Sequence, residues 1–246
     1  GYTGVEVAGQ FCDLAKKDNK KLYPHKKIHI QLIQSGETLV PHSPKKVQYL
    51  AEKKLRRDGV EIYFTSRAAK LHKSSIELAN GNKLTSDLTI WTAGFRNIAE
   101  CFLSEPHCEE GRIPVNQFLQ HQSFHSLYAI GDVALFYNVN AERPIPQLGE
   151  SAHKMGIYAA KHLASVLSEK QMTKPFHFKP HGSLMPIGDW YGIASIGGVV
   201  FSGRFAWWLR RTVYLLFMPG IIRKLRIMFD WTLHSFGFRN IINIDR

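Results

Sequence analysis

A strand that runs straight into a glycine turn and then a long helix does more than any other feature to limit what this chain can become. Ser126-Leu-Tyr-Ala-Ile130 reads as a short buried strand ending in Gly131-Asp132. Pro144 and Pro146 follow, and Gln147 to Leu167 reads as a helix with Ala152, Met155, Ala159, Leu163 and Val166 in periodic positions. This order belongs to α/β nucleotide-binding folds. An Asp placed after such a glycine can bind sugar or ribityl hydroxyls. A helix N-terminus at Gln147, Leu148 and Gly149 can stabilise negative charge on a flavin edge.

The first residues carry a second signal. Gly1-Tyr2-Thr3-Gly4 leads into a helix with Val5, Ala8, Cys12 and Ala15 at helical spacing. Glycines ahead of a helix let the backbone approach a ligand, and the helix N-terminus favours a phosphate there. The dinucleotide fingerprint is G-x-G-x-x-G after a strand. Only its G-x-x-G part is present, with Gly1 as the second glycine and Gly4 as the third. The same residues also read as an ordinary helix start. Their position at residue 1 leads us to expect a chain that begins inside the motif.

Between these signals, strands and helices alternate. Lys16 to Lys27 is a charged connector. Ile28 to Gln34 alternates as a strand, and Gln34 stands where a Rossmann half carries its ribose-binding acid. A Gln hydrogen-bonds a hydroxyl without repelling a 2′-phosphate, so discrimination against NADPH is expected to be weak; a plain surface Gln fits the position equally. Ser43-Pro44 opens a helix to about Arg57, with Val47, Leu50, Ala51 and Leu55 on one face, and Asp58-Gly59 stops it. Val60–Phe64 is a strand, Asn80-Gly81-Asn82 turns a hairpin between Ser75–Ala79 and Lys83–Thr85, and Leu88–Thr92 is a strand ending in Ala93-Gly94.

Composition narrows the classes further. With 44% hydrophobic and 21% charged residues over 246 positions, the chain is neither disordered nor a disulfide scaffold. Its three cysteines, Cys12, Cys101 and Cys108, show no CxxC spacing, which fits a reducing compartment and disfavours a flavin disulfide reductase. No HExxH, GxSxG or Cys/His ligand cluster occurs, so no metal is expected. The net charge of +12 points to acidic partners. Residues 199–246 hold eight Lys or Arg against two Asp, a net +6, together with Trp207, Trp208 and Trp231. Residues 181–203 read as short Gly-rich strands. From Arg204 onward two basic amphipathic helices are expected. The first carries Phe205, Trp208, Leu209, Thr212, Leu215 and Leu216 on one face, and Pro219-Gly220 breaks it. The second carries Ile222, Leu225, Phe229, Leu233 and Phe236. Neither reaches the roughly 20 uncharged apolar residues of a membrane span. Trp207, Trp208, Arg210, Arg211, Arg223, Lys224 and Trp231 suit an anionic membrane surface. A helical hairpin packed on the chain's own core, or a dimer interface, fits the same pattern. Nucleic-acid binding is not expected, because no recognition module is present.

Taken together, TGVEVAG, WTAG, YAIGD, the Ala-rich helix and the tail AWWLRRTVYLL…PG…RKLRIMFDWTL, with FRNI near its end, resemble the type II NADH dehydrogenases. These are single-subunit, flavin-containing NADH:quinone oxidoreductases. The resemblance covers essentially the whole chain and aligns it with the second half of such an enzyme, so a C-terminal portion is expected, with the FAD domain's own strand-GxGxxG upstream. It implies two Rossmann-like dinucleotide-binding domains, both incomplete at their N-terminal sides: 1–93 for NAD(P)H, 94–179 for FAD, and 180–246 as strands and amphipathic membrane-association helices.

The resemblance also implies roles. Gly1, Thr3, Gly4 and Glu6 match the nicotinamide-nucleotide motif, and Gly94 closes that domain. Gly131, Asp132, Gln147, Leu148 and Gly149 match the FAD-binding segments. The quinone-side helix of many members carries AQ…QQ; here Gly149-Glu150 and Lys154-Met155 stand instead, which makes Glu150 and Lys154 the quinone-site candidates. Residues 199–238 match membrane-anchoring helices. The implied chemistry is ping-pong-like transfer from NADH through FAD to a membrane quinone without proton pumping, the flavin carrying the reaction. A peripheral location is implied, on the cytoplasmic face of the plasma membrane in a bacterium, with a homodimer possible. An NADPH-preferring variant and a non-catalytic membrane-surface module are the competing readings.

Overall fold

The computed structural model of the chain describes residues 1–17, 28–94, 108–109, 111–169 and 174–235. Cys101, most of the 16–27 connector, Phe236 and the FRNI segment lie outside them. The chain divides into two compact units: Gly1–Ala93 together with the stretch from Gly182 onward, and Gly94–His181.

In the first unit, α1 (Tyr2–Lys17) leads to β1 (Gln31–Ile33), α2 (Lys45–Arg57) and β2 (Glu61–Tyr63). β1 and β2 pair in parallel, Leu32 opposite Ile62, as a strand–helix–strand unit requires. β3 (Ala68–His72), β4 (Ser75–Leu78) and β5 (Lys83–Thr85) form an antiparallel meander. Its β4–β5 hairpin falls where Asn80-Gly81-Asn82 places it, Gly81 at φ +86°. β3 was not legible, because Ala68–His72 is exposed on nearly every position and shows no alternation.

The expected strand Leu88–Thr92 is a correction. These residues form no regular strand, and Leu88, Ile90 and Trp91 are exposed. A strand exists through its ladder, and among the described residues none pairs with this segment.

The same unit contains β8 (Gly182–Pro186), β9 (Gly192–Ile196) and β10 (Val199–Gly203), an antiparallel sheet with β9 in the middle. α4 (Arg204–Phe217) and α5 (Ile221–Ser235) follow, separated at Pro219-Gly220. The core joins distant pieces of sequence: Val5, Ala8 and Cys12 of α1, Val47, Ala51 and Leu55 of α2, Met185 of β8, Ile193 of β9 and Ile187 of the turn between them. Each such aliphatic side chain contributes roughly 1.5–3 kcal/mol on full burial. Burial pushes the Cys12 thiol up to about 11, with Asp58 adding to the shift, so it is a neutral packing group at pH 7.

A charged trio closes the C-terminal end of α2. Asp58 takes Lys16 Nζ at 2.6 Å and also pairs with Lys54, itself buried on α2. Burial alone would raise the Asp58 carboxyl. The hydrogen bonds and charges of both lysines outweigh that and hold it below its ordinary value.

The second unit is built on short pieces: β6 (Ile113–Pro114) beside β7 (Ala134–Leu135) in parallel, and α3 (Gly149–Leu167). Its core gathers Ile113, Val115, Leu119, Ala134, Phe136, Met155, Phe176 and Phe178. The expected strand Ser126–Ile130 is also corrected: it holds only an isolated bridge between Tyr128 and Gln120, with Ile130 extended, and the ladder forms after the glycine turn instead.

Asp58→Asn should lower stability at neutral pH. The sign follows from the depressed carboxyl. Its contribution is complete above the unfolded value near 3.8 and is lost as pH falls through the lower folded value. Urea unfolding of both proteins between pH 7 and pH 3 should therefore show their stabilities converging at the acid end.

Candidate functional site

Two helix starts, one in each unit, collect most of the residues singled out by sequence. In the first unit, α1 begins at Tyr2, so Gly4 lies inside the first turn. A Cβ on Gly4 would sit 3.1 Å from Thr92 Oγ1 and 3.5 Å from Leu32 Cδ1. The helix thus starts close against Leu32 of β1 and Thr92, as the third glycine of a nucleotide motif requires. A Cβ on Gly1 would meet nothing within 4 Å. The Gln34 side chain reaches this end, with Oε1 3.2 Å from the Gly1 nitrogen. Thr3 is exposed beside it. Glu6 is half-buried one turn in. Burial raises its carboxyl above the ordinary value, and the Arg210 charge partly opposes this. Such a cradle fits a dinucleotide: a helix N-terminus, a close-packed glycine and a side chain able to hydrogen-bond a hydroxyl at the neighbouring strand end.

In the second unit, Gly94 stands at the very start with φ +92°. Gly131 opens a single 3₁₀ turn, Gly131–Val133, with φ +73°. Its amide donates to Met155 Sδ at 3.2 Å, and a Cβ there would lie 3.3 Å from that of Ala152. The glycine turn therefore packs directly on α3. Gln147 Nε2 donates to the Asp132 carbonyl at 2.8 Å and ties the turn to the approach to α3. At the start of α3, the Leu148 amide donates to Ser151 Oγ at 3.1 Å. A Cβ on Gly149 would meet nothing within 4 Å, so the backbone is uncrowded at this helix start. The turn, Asp132 and the helix start fit a flavin's sugar-like chain and its anionic edge.

Glu150 and Lys154, one turn apart on α3, are brought together at 2.8 Å. His181, which the sequence gave no reason to single out, joins them: Nδ1 lies 2.5 Å from Glu150 Oε1 and 3.2 Å from Lys154 Nζ. Lys154 also donates to the Lys179 carbonyl and stands over the Phe178 ring. Burial would raise the Glu150 carboxyl, but the hydrogen bonds from Lys154 and His181 outweigh it and hold the group below its ordinary value.

The membrane candidates divide. Phe205, Trp208 and Leu216, on the face expected for α4, are exposed, as are Tyr214 and Phe217, and Ile221, Ile222, Leu225, Met228 and Phe229 of α5. Arg223 is exposed and Lys224 partly so. Trp207 is buried: it stacks on Trp190 at 4.6 Å and packs so close to β9 that a Cβ on Gly192 would approach its amide to 2.8 Å. Arg211 lies 4.0 Å over Trp207 and 4.7 Å over Trp231, fastening α5 to α4. Arg210 turns inward, donating from Nε to the Leu184 carbonyl. Among the described residues, no helix is long and apolar enough to cross a membrane, and no group of His, Cys, Asp and Glu could hold a metal ion.

This arrangement is that of an α/β dinucleotide-binding flavoprotein. The family model of the pyridine nucleotide-disulphide oxidoreductases matches residues 1–156, and the chain belongs to that family. Its resemblance to type II NADH dehydrogenases holds among curated relatives. It is 26% identical over 251 residues to the type II NADH:quinone oxidoreductase Ndh of Mycobacterium tuberculosis, covering 94% of this chain and 52% of the relative. It is 25% identical to the mitochondrial internal alternative NAD(P)H-ubiquinone oxidoreductase A1 of Solanum tuberosum, covering 94% and 50%. The chain thus spans about half the length of these relatives. The solved structure of NDH2 from Plasmodium falciparum in complex with NADH superposes over 99% of this chain and 66% of its own, with TM-score 0.85 at 16% identity, which establishes the fold.

Gly131→Ala should cost about 1–2 kcal/mol, since an alanine resists the left-handed backbone there and its methyl presses on Ala152. A thermal melt should show a lower Tm for this variant.

Proposed function

We propose that the chain forms the C-terminal portion of an enzyme that oxidises NADH and reduces a membrane quinone, with FAD as resident cofactor. The observation that carries this reading is the pair of glycine-led, close-packed helix approaches, Gly4 in one unit and Gly131 in the other, in a chain whose curated relatives are NADH:quinone oxidoreductases. The segment 1–93 with Gly1, Thr3, Gly4, Glu6 and Gln34, closed by Gly94, would hold the nicotinamide nucleotide. The segment 94–179, with Gly131, Asp132, Gln147, Leu148 and Gly149, would hold its share of the FAD. Bound FAD supplies the two-electron chemistry between the substrates. Glu150 and Lys154, with His181 added, form a polar cluster at the same helix start and are the candidates to face the quinone. Quinone reduction takes up protons as well as electrons; the Lys154 and His181 side chains carry exchangeable ones, and the Glu150 carboxylate accepts from both.

The test is recovery of the protein carrying this chain from its source membranes. Stoichiometric flavin and quinone-dependent NADH oxidation are expected. A flavin-free protein inert toward NADH would leave the non-catalytic binding module as the better reading.

The segment 180–246 would dock the enzyme peripherally on an anionic lipid surface through α4 and α5. Their apolar side chains lie open beside Arg223, Lys224 and Arg226, the combination an interfacial helix uses. Phosphatidylglycerol vesicles should bind the protein, phosphatidylcholine vesicles much less, and added salt should weaken binding. Ile222→Asp should reduce partitioning by about tenfold, equivalent to roughly 1.4 kcal/mol. Equal binding to both vesicle types would remove the electrostatic part of this reading.

One observation favours a second reading of the nucleotide. Gln34 is uncharged and stands at the N-terminal end of α1. NADPH should therefore be oxidised alongside NADH, and Gln34→Glu should suppress the NADPH rate while sparing the NADH rate. Steady-state rates with each nucleotide decide the matter; no NADPH oxidation by the unaltered protein would sink it.

A further inference from the structure

Arg210 was expected at a membrane surface by its place among Arg204, Arg211 and the tryptophans. Its side chain does something else. Nε donates to the Leu184 carbonyl of β8 at 3.2 Å, and the guanidinium lies 4.5 Å from the centre of the Tyr214 ring on its own helix. These contacts fix the direction of the fork. Its Nη2 then stands 3.8 Å from Glu6 Oε2, one turn into α1. Both groups are half-buried, where a pair of charges is screened less than at an open surface.

The surroundings leave Arg210 as the countercharge. β1 and β8, which pack on α1, carry no titratable side chain. On α2, the inward-facing Lys54 is engaged by Asp58. On α4, Arg204 lies over Trp190 and Arg211 between Trp207 and Trp231. Among the described residues, Arg210 is thus the charge that acts on the Glu6 carboxylate.

We propose that Arg210 is a positioning residue of the nicotinamide-nucleotide site, reaching back from α4 to pair with the Glu6 carboxylate and hold it in place beside the start of α1. This deepens the functional reading above and rests on it. An ionised carboxylate accepts hydrogen bonds only, which suits the ribose hydroxyls and carboxamide NH₂ that a nicotinamide nucleotide presents. A bare negative charge near the pyrophosphate would repel it; the guanidinium, reaching Glu6 from α4, offsets that repulsion. Because Arg210 belongs to α4, the helix proposed to lie on the membrane and the helix proposed to bind the nucleotide become one electrostatic unit.

The sign of the effect follows from the balance at Glu6. Burial raises its carboxyl and Arg210 lowers it, so removing the guanidinium must raise it further. The experiment compares unaltered protein, Arg210→Gln and Arg210→Lys by two measurements. The first is the titration of Glu6, followed by carboxylate ¹³C NMR and assigned with Glu6→Gln. The second is the dissociation constant for NADH across pH 5–8. Arg210→Gln should move the Glu6 midpoint upward and shift the acid-side loss of NADH affinity to higher pH by the same interval. Arg210→Lys should move both back toward the unaltered protein, which a merely structural loss would not do. An unchanged Glu6 titration in Arg210→Gln, or a shifted titration with an unmoved NADH profile, overturns the proposal. If the unaltered protein binds no NADH at any pH, the nucleotide reading itself fails, and a persisting Glu6 shift would mark the pair as structural only.

Discussion

At Gly9 the backbone of α1 comes so close to the turn after β8 that a Cβ would lie 2.7 Å from the Gly188 amide and 2.8 Å from Ile187. Real Cβ contacts do not reach such distances, so the approach requires glycine. Next to it, the Asp13 carboxylate accepts the Asp189 amide, while Gly188 holds a φ of +74° that leaves room for that carboxylate. Residues 176 positions apart are thereby locked together. The consequences spread along α1. Its apolar stripe, Val5, Ala8 and Cys12, meets both α2 and the β8–β10 region, and Glu6 falls within reach of Arg210. The start of the helix is held against Thr92 at Gly4.

The second unit repeats the device in a smaller form. Gly131 turns beneath Ala152, its amide meets Met155, and Gln147 bridges back to the Asp132 carbonyl. In both units a glycine brings a turn or a helix start close to its neighbour. A helix N-terminus carries backbone amides and a partial positive charge, an environment that suits anionic groups. The candidate sites are thus framed by backbone, with side chains such as Gln34 and Glu150 beside them.

Most helices and the hairpin were legible because their signals are local. Pro44 and Asp58-Gly59 bracket α2, Pro219-Gly220 separates α4 from α5, and Asn80-Gly81 turns β4 into β5. The segments that failed were those whose state depends on distant partners. Leu88–Thr92 and Ser126–Ile130 have the apolar runs of strands, yet no described strand lies beside the first and only a bridge beside the second. The glycine residues of the candidate site were legible as motifs. His181 was not, since it lies 31 positions from Glu150 and only the fold of the second unit returns it to α3.

Arg210 and Trp207 show why amphipathic pattern alone misassigns individual residues. A basic, aromatic helix was expected to turn both outward. The face of α4 that carries Ala206, Trp207 and Arg210 instead meets β8 and β9, because Gly192 leaves no side chain between sheet and helix. Trp207 fills that contact and Arg211 lies on it from the other side, with Trp231 beyond. The exposed apolar side chains then fall on the opposite face of α4 and along α5. A hairpin with one face wedged on the core and the other uncovered can take up a surface without unfolding anything. Its inner face, through Arg210, already touches the helix that starts at the candidate nucleotide site.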